Sequence, residues 1–323
     1  MHAVVTGIAG FIGSRLAGAL LREGHYVHGI DRLSDYYDIE RKHANLAAVG
    51  DPARFTFAEL DLCQLEPADL PWDVDVVFHL AAQPGVRGSW GDAFHQYVQD
   101  NVLATQRLLE CLARMPVPPR MVYSSSSSVY GSAESYPTST AVTPHPLSPY
   151  GVTKLAGECL VHSYATCQRV PAVSLRYFTV YGPGQRPDMA IHKLIDAAFT
   201  GRPFRILGDG HQVRDFTYVD DVVWANVLAA SAALPSVHEV LNVAGGAEIS
   251  LLDLIATVER VVGRRIVVDR SQPMPGDPAR TSGEVSRTAA ILGWLPTHTL
   301  AEGIAAQAAW QADLARDLVP TMP

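Results

Sequence analysis

Short apolar runs alternate along this chain with longer amphipathic stretches. In the longer stretches, such as residues 93–112 and 149–168, apolar residues recur at i, i+3 and i+4, which is the spacing of one helix face. Strand-length runs separated by helices of crossover length predict an α/β fold with a Rossmann-like, doubly wound parallel sheet. The predicted strands are residues 4–5, 26–30, 55–60, 74–80, 120–124 and 172–177.

The pattern changes after residue 177, where glycine and proline clusters cut the chain into shorter pieces. We therefore predict an NAD-binding Rossmann domain over residues 1–176 and a smaller, mainly substrate-binding α/β domain over residues 177–323. Segments around 212–246 are expected to return to the first domain. A chain of 323 residues, 48% of them hydrophobic, has room for one or two such cores. The clusters that break the chain are residues 182–184, 208–210 and 273–276.

Charge and cysteine content exclude several classes of partner. The net charge is −8 and no run of lysine or arginine occurs, so a nucleic-acid partner is not expected. The four cysteines lack Cys-x-x-Cys spacing, which predicts neither a metal site nor a disulfide framework. No apolar run is long enough to span a bilayer, and the chain starts without a leader-like segment. A cytoplasmic protein without a membrane partner is predicted.

The first candidate site is a glycine turn between the first predicted strand and a helix. Gly7, Gly10 and Gly13 form a Gly-x-x-Gly-x-x-Gly pattern, which permits a tight turn, close approach to a pyrophosphate and close packing of helix on strand. Asp31 follows the second predicted strand, where a carboxylate accepts the ribose hydroxyls and repels a 2′-phosphate. This favours NAD. Arg32 keeps NADP open, because an arginine there suits that phosphate.

The second candidate site is Tyr150 and Lys154, which share one face of a helix through their i, i+4 spacing. Ser148 and Pro149 predict the start of that helix. A phenol, with a pKa near ~10, acts as a base near neutral pH when positive charge lowers that pKa. Lys154 and an oxidised nicotinamide are the predicted sources of that charge.

With these motifs, the chain over about residues 3–295 resembles the extended short-chain dehydrogenases/reductases, in the sugar-nucleotide epimerase and dehydratase group. The resemblance also rests on Asp61-Leu62, His79-Leu80-Ala81-Ala82, Asn101 and the segment ending at Gly131. It implies a nucleotide-sugar substrate and a homodimer. The implied cofactor-binding residues are Gly7, Gly10, Phe11, Ile12, Gly13, Asp31, Asp61, Leu62, Leu80, Ala81, Ala82, Asn101, Tyr150, Lys154 and Tyr177.

The residues before Val129 bear on the reaction. Dehydratases of this group carry Asp-Glu there and decarboxylases a glutamate, whereas this chain has Ser127 and Ser128. Two serines cannot easily move the protons that loss of water requires, which argues against dehydration. By the same resemblance, Ser126 binds the C4 hydroxyl and assists Tyr150. The implied catalytic residues are Tyr150, Lys154 and Ser126.

Segments 35–42, 83–87, 178–183 and 186–189 are similar to UDP-glucuronate 4-epimerases, which implies C4 epimerisation of UDP-glucuronate. Thr179, with the two serines, would offer neutral donors to a carboxylate. The alternatives are UDP-glucose, UDP-N-acetylglucosamine or another nucleotide sugar, a decarboxylase or dehydratase, and a non-catalytic NAD sensor, which would not need the three catalytic residues together. Arg186 either adds charge or is a solvent-facing loop residue. The implied substrate-binding residues are Ser126, Ser127, Ser128, Tyr150, Thr179, Arg186, Arg214 and Asp277, the last two at the diphosphate and ribose.

Overall fold

A computed structural model describes residues 1–272 and 276–317. Its main feature is a seven-stranded sheet in which every pairing is parallel. The strands of the protein are β1 His2–Thr6, β2 Tyr26–Asp31, β3 Phe55–Glu59, β4 Val76–His79, β5 Arg120–Ser126, β6 Ala172–Tyr177, β7 Thr179–Tyr181, β8 Phe204–Leu207, β9 Val213–Tyr218, β10 His238–Val243, β11 Ala247–Ser250 and β12 Val268–Ser271.

Helices follow most of these strands and cover both faces of the large sheet. In none of the described residues does a helix combine the length and the apolar character that crossing a membrane requires. The helices are α1 Phe11–Arg22, α2 Ile39–Val49, α3 Phe94–Val98, α4 Ala104–Ala113, α5 Pro149–Cys167, α6 Ala190–Thr200, α7 Val219–Ser231, α8 Leu251–Val262, α9 Ser286–Leu292 and α10 Leu300–Asp317.

The order of the large sheet is β10-β6-β5-β4-β1-β2-β3. The chain runs outward in one direction from β1 to β3 and then resumes on the other side with β4, so a crevice opens at the carboxyl ends of β1 and β4. This confirms the predicted Rossmann-like fold. All six predicted strands are present, with ends that differ from the prediction by at most two residues, and β10 adds a seventh beside β6.

The helix predicted over residues 93–112 is interrupted. Between α3 and α4, the turn Gln99–Leu103 is π-helical. A π turn holds an extra residue, so neighbouring side chains are shifted around the helix. Asp100 and Asn101 are consecutive and both buried, at 8% and 1% exposure.

The C-terminal half forms smaller sheets with their own core. Strand β9 pairs with β7 and β11, and β8 pairs with β12. Leu194, Ile206, Leu254 and Ile304 are buried among these strands and helices α6, α8 and α10. Helix α7 packs instead in the core of the large sheet, as β10 extends that sheet. The predicted division at residues 176/177 falls at the end of β6. Of the predicted break at 273–276, residues 273–275 lie outside the described residues.

Candidate active site

The turn from β1 to α1 requires glycine on steric grounds. Gly7 has φ +69°, and a Cβ there would lie 2.7 Å from the backbone nitrogen of Ala81. A Cβ on Gly13 would lie 2.3 Å from the Gly7 carbonyl oxygen. Helix α1 starts after Gly10, which has no side chain to cap the first backbone N–H groups. Those donors, together with the positive end of the helix dipole, suit a pyrophosphate.

This turn borders a cavity of about 400 Å³ at the carboxyl ends of the sheet strands. Strand ends, the start of α5 and the segment after β7 all contribute to its wall. The predicted site residues that line it are Gly7, Gly10, Phe11, Ile12, Gly13, Asp31, Asp61, Leu62, Leu80, Ala81, Ala82, Ser126, Ser127, Ser128, Tyr150, Lys154, Tyr177, Thr179 and Arg186.

Helix α5 begins as predicted and presents Tyr150 and Lys154 to the cavity. The Ser148 hydroxyl accepts the Gly151 N–H at 3.1 Å, and Pro149 occupies the first turn. Lys154 Nζ donates to the carbonyl oxygen of Ser124 at 2.8 Å. Burial lowers the pKa of Lys154 to about 8, against the smaller opposing effect of the nearby Glu158 carboxylate. The ammonium is thus fixed on a backbone acceptor at the end of β5.

The pKa of Tyr150 reflects several opposing effects. Burial raises the pKa of the Tyr150 phenol, while its hydrogen bond with Ser126 and the charge of Arg186 act to lower it. Lys154 donates to the Ser124 carbonyl, and the predicted lowering of the Tyr150 pKa by Lys154 together with an oxidised nicotinamide stays a prediction. Burial therefore favours the neutral phenol, whereas the Ser126 hydrogen bond and the Arg186 charge favour the phenolate.

The five serines at the end of β5 differ in their positions and hydrogen-bond partners. Ser124 Oγ lies 3.0 Å from the Tyr177 hydroxyl, which in turn donates to Asn226 Oδ1 at 2.8 Å. Ser126 Oγ accepts the Ser128 N–H at 3.1 Å. The strand ends there and a 3₁₀ turn begins at Ser127. Ser127 and Ser128 therefore follow the strand end, on the cavity wall beside Tyr150.

A buried ion pair stabilises the carboxyl end of β5. The sequence motifs did not predict this pair. Arg176 Nε and Nη2 donate to the two oxygens of Glu158 at 2.8 and 2.7 Å, and the Ser125 hydroxyl donates to the same carboxylate. The Arg176 guanidinium also lies 4.6 Å from the centre of the Tyr130 ring. Since Glu158 belongs to α5, this network fixes the helix that carries Tyr150 to the strand that carries the serines.

Arg186 lies on the cavity wall with 18% of its side chain exposed, so it is not a solvent-facing loop residue. Its Nε and Nη2 donate to Asp188 at 2.9 and 3.0 Å. The guanidinium is 5.8 Å from the centre of the Tyr36 ring, which also lines the cavity. The positive charge of Arg186 thus lies near Tyr150, and the Asp188 carboxylate partly balances it.

Three predicted site residues are not part of the cavity wall in the described structure. Asn101 exchanges two hydrogen bonds with the backbone of Gln83, at 2.7 and 3.1 Å, and so holds that loop. Arg214 and Asp277 form an ion pair with each other, and Arg87 lies 3.5 Å from the same carboxylate. Their contacts with a cofactor or substrate remain predictions.

One cavity at the edge of a Rossmann-like sheet is bordered by a glycine turn shaped for a pyrophosphate and by a helix that carries Tyr-x-x-x-Lys. This combination defines a protein of the short-chain dehydrogenase/reductase type. The NAD dependent epimerase/dehydratase family matches residues 3–244, and the chain belongs to that family. The family confirms the predicted extended short-chain dehydrogenase/reductase group and the predicted NAD cofactor.

The chain is similar to several proteins along nearly its whole length. It is 41% identical to a protein of Bacillus subtilis named as an uncharacterized UDP-glucose epimerase, covering 97% of this chain and 99% of that protein. It is 36% identical to a probable UDP-glucuronate 4-epimerase of Rhizobium meliloti, covering 96% of each. The crystal structure of UDP-glucuronic acid 4-epimerase from Bacillus cereus, in complex with UDP-glucuronic acid and NAD, superposes with a TM-score of 0.93 at 41% identity, covering 97% of this chain and all of that chain.

Proposed function

We propose that this protein is an NAD-dependent isomerase that interconverts UDP-glucuronate and UDP-galacturonate by inverting C4. The observation that carries this proposal is that three neutral hydroxyls line the cavity that Tyr150 also lines, those of Ser127 and Ser128 after the end of β5 and that of Thr179 at the start of β7. The similarity to the named UDP-glucuronate 4-epimerases supports it.

In the proposed reaction Tyr150, as the phenolate, accepts the proton of the C4 hydroxyl, and Ser126 aligns the two groups by hydrogen bonding. When bound, NAD supplies a nicotinamide that takes the C4 hydride and gives it back. Lys154 keeps a cation at the end of β5, stabilising a Tyr150 phenolate electrostatically. After the sugar turns over, the hydride returns to the other face of C4 and Tyr150 returns its proton.

A 4-keto uronic acid is a β-keto acid, which loses CO₂ when the bond to its carboxylate aligns with the carbonyl π system. We propose that Ser127, Ser128 and Thr179 hold the carboxylate out of that alignment by hydrogen bonds, so positioning decides between epimerisation and decarboxylation. Hydroxyl groups suit this task because they donate to a carboxylate and cannot themselves act as strong acids.

UDP-glucose is the second candidate substrate. The observation in its favour is that Arg186, the arginine whose charge acts on Tyr150, is already paired with Asp188, so its positive charge is partly balanced. The name of the Bacillus subtilis relative points the same way. The two candidates share the C4 chemistry and differ in the group carried at C5.

The substrate is tested by incubating the purified protein with UDP-glucuronate and, separately, with UDP-glucose, without added NAD, and separating the products. We expect UDP-galacturonate from the first and little UDP-galactose from the second. Release of UDP-pentose from UDP-glucuronate would indicate decarboxylation instead. Turnover of UDP-glucose alone would favour the second candidate, and no turnover of either would refute the proposal.

We further propose a homodimer in the cytoplasm. Two apolar side chains are open to solvent on adjoining elements. Leu103, in the π turn before α4, is 53% exposed, and Val152, on α5, is 47% exposed. Apolar residues that neighbouring helices present in this way suit burial against a second copy. Cys159 and Cys167 are exposed thiols, which suits a reducing compartment.

A further inference from the structure

Arg32 follows Asp31 at the adenosine end of the cavity, where a free arginine would bind the 2′-phosphate that distinguishes NADP from NAD. The side chain of Arg32 is not free. Its Nη1 and Nη2 donate to the two oxygens of Asp100 at 2.7 and 2.6 Å, and Nη1 also donates to Asp61 at 3.2 Å. Three of the five guanidinium N–H groups are thus given to carboxylates.

Arg32 and Asp100 form a bidentate ion pair, which is a strong arginine–carboxylate geometry. Two parallel N–H···O bonds fix both the direction and the plane of the guanidinium. Only 9% of the Asp100 side chain is exposed, so the pair is shielded from water on the carboxylate side. Gln96 Nε2 adds a hydrogen bond to Asp100 at 2.8 Å. Turning Arg32 toward a ligand would therefore leave a buried carboxylate without its counter-ion, which is costly.

The π-helical turn explains how Asp100 reaches Arg32. Within Gln99–Leu103 the backbone presents Asp100 and Asn101 as consecutive buried residues. Asp100 binds Arg32, while Asn101 binds the backbone of Gln83 and the hydroxyl of Thr153. One irregular turn thus anchors both the adenosine end and the adjoining loop of the cavity.

The charges around this end of the cavity also disfavour a phosphate. Three carboxylates, Asp31, Asp61 and Asp100, face two cations, Arg32 and Lys42. Lys42 Nζ donates to Ser34 and lies 3.9 Å from Asp31. A phosphate monoester carries about −2 charge near neutral pH, so it would enter a region whose fixed charge is already negative.

We propose that Asp100 is the residue that sets the cofactor form of this protein. By holding Arg32 in a bidentate pair, it keeps this arginine from binding a 2′-phosphate and leaves the site selective for NAD. This inference concerns the adenosine end of the cavity and does not depend on which sugar is epimerised.

The test is a competition between the two cofactors. The protein is incubated with an equimolar mixture of NAD and NADP until the bound ratio is constant, and the nucleotides released on acid denaturation are quantified. For wild type we expect almost only NAD. Asp100→Asn and Asp100→Ala should each raise the bound NADP:NAD ratio about tenfold or more, because a charge-assisted hydrogen bond from the released arginine contributes that much. Using two substitutions guards against one failing to fold.

Two further variants separate release of Arg32 from a change of net charge. Asp61→Asn removes the same charge at the same end of the cavity but keeps the bidentate pair, so its ratio should rise far less than in Asp100→Asn. Asp100→Asn combined with Arg32→Ala should return to the wild-type ratio. An unchanged ratio in both Asp100 variants, an equal rise in Asp61→Asn, or a rise that persists without Arg32 would overturn the proposal. Since the readout is bound nucleotide, a failed product assay with UDP-glucuronate would leave this result interpretable.

Discussion

Replacing Tyr150 by phenylalanine is expected to lower kcat by about 10²–10⁴-fold, because general acid–base groups contribute that much to a proton-transfer step. The phenol lies on the cavity wall, hydrogen-bonded with Ser126, on the helix face that also carries Lys154. Phenylalanine keeps the ring, which packs edge-on against Tyr97 with centroids 6.2 Å apart. The loss should therefore fall on catalysis, with the fold and the bound NAD retained.

The measurement is kcat for UDP-glucuronate, alongside the NAD content of each purified variant. Tyr164→Phe is the matched control, since it makes the same change on the same helix, where the Tyr164 hydroxyl bonds with Gln106 and Glu110 outside the cavity. We expect that control to keep near wild-type activity. If Tyr150→Phe retained most of its activity, the base would have to be another group.

Replacing Thr179 and Ser128 together by alanine is expected to divert turnover toward decarboxylation. Both hydroxyls line the cavity, and removing them would take away two of the three neutral donors proposed to restrain the substrate carboxylate. A carboxylate freed to rotate reaches the alignment in which the 4-keto intermediate loses CO₂. The catalytic residues are untouched, so oxidation at C4 should continue while the yield of UDP-galacturonate falls.

Carbon dioxide released per C4 oxidation, together with the UDP-pentose formed, measures this partition. The expected result is a release several-fold above wild type, with each single variant between the two. Ser132→Ala combined with Thr200→Ala removes the same two kinds of hydroxyl from exposed positions away from the cavity and serves as the control. If the double variant at the site released no more CO₂ than wild type, the hydroxyls would not be what prevents decarboxylation.

Much of the fold could be predicted from the spacing of apolar residues. Buried parallel strands such as Val76–His79 are mostly apolar, and their alternation with amphipathic helices defines the layers. The seventh strand, His238–Val243, was not predicted because its neighbour β6 lies far away in sequence and the intervening segment resembles an independent domain. The π turn was not predicted either, since one extra residue barely alters the apolar repeat.

The candidate site was predictable where a motif demands a particular residue type. Gly7 and Gly13 are required by backbone contacts, and Ser148 with Pro149 marks where the helix of Tyr150 begins. Partners from distant parts of the chain were not predictable. A sequence motif specifies residue types and not their hydrogen-bond partners, so it could not show that Lys154 donates to a backbone carbonyl.

Electrostatics depend on burial as well as on residue type. Burial raises the pKa of Tyr150, an effect that the i, i+4 spacing of two residues on a helix cannot predict. Arg32 shows the same limit, because its sequence position beside Asp31 suggests a phosphate ligand while Asp100, 68 residues away, decides what it binds.

The central claim is that C4 of the sugar is oxidised and reduced by one hydride that stays in the site. It is tested most directly with UDP-glucuronate carrying deuterium at C4, converted in ordinary water and analysed by mass spectrometry and NMR. We predict that UDP-galacturonate retains the deuterium at C4, because the hydride returns to the carbon from which it came. Loss of the label to solvent during conversion would contradict the account.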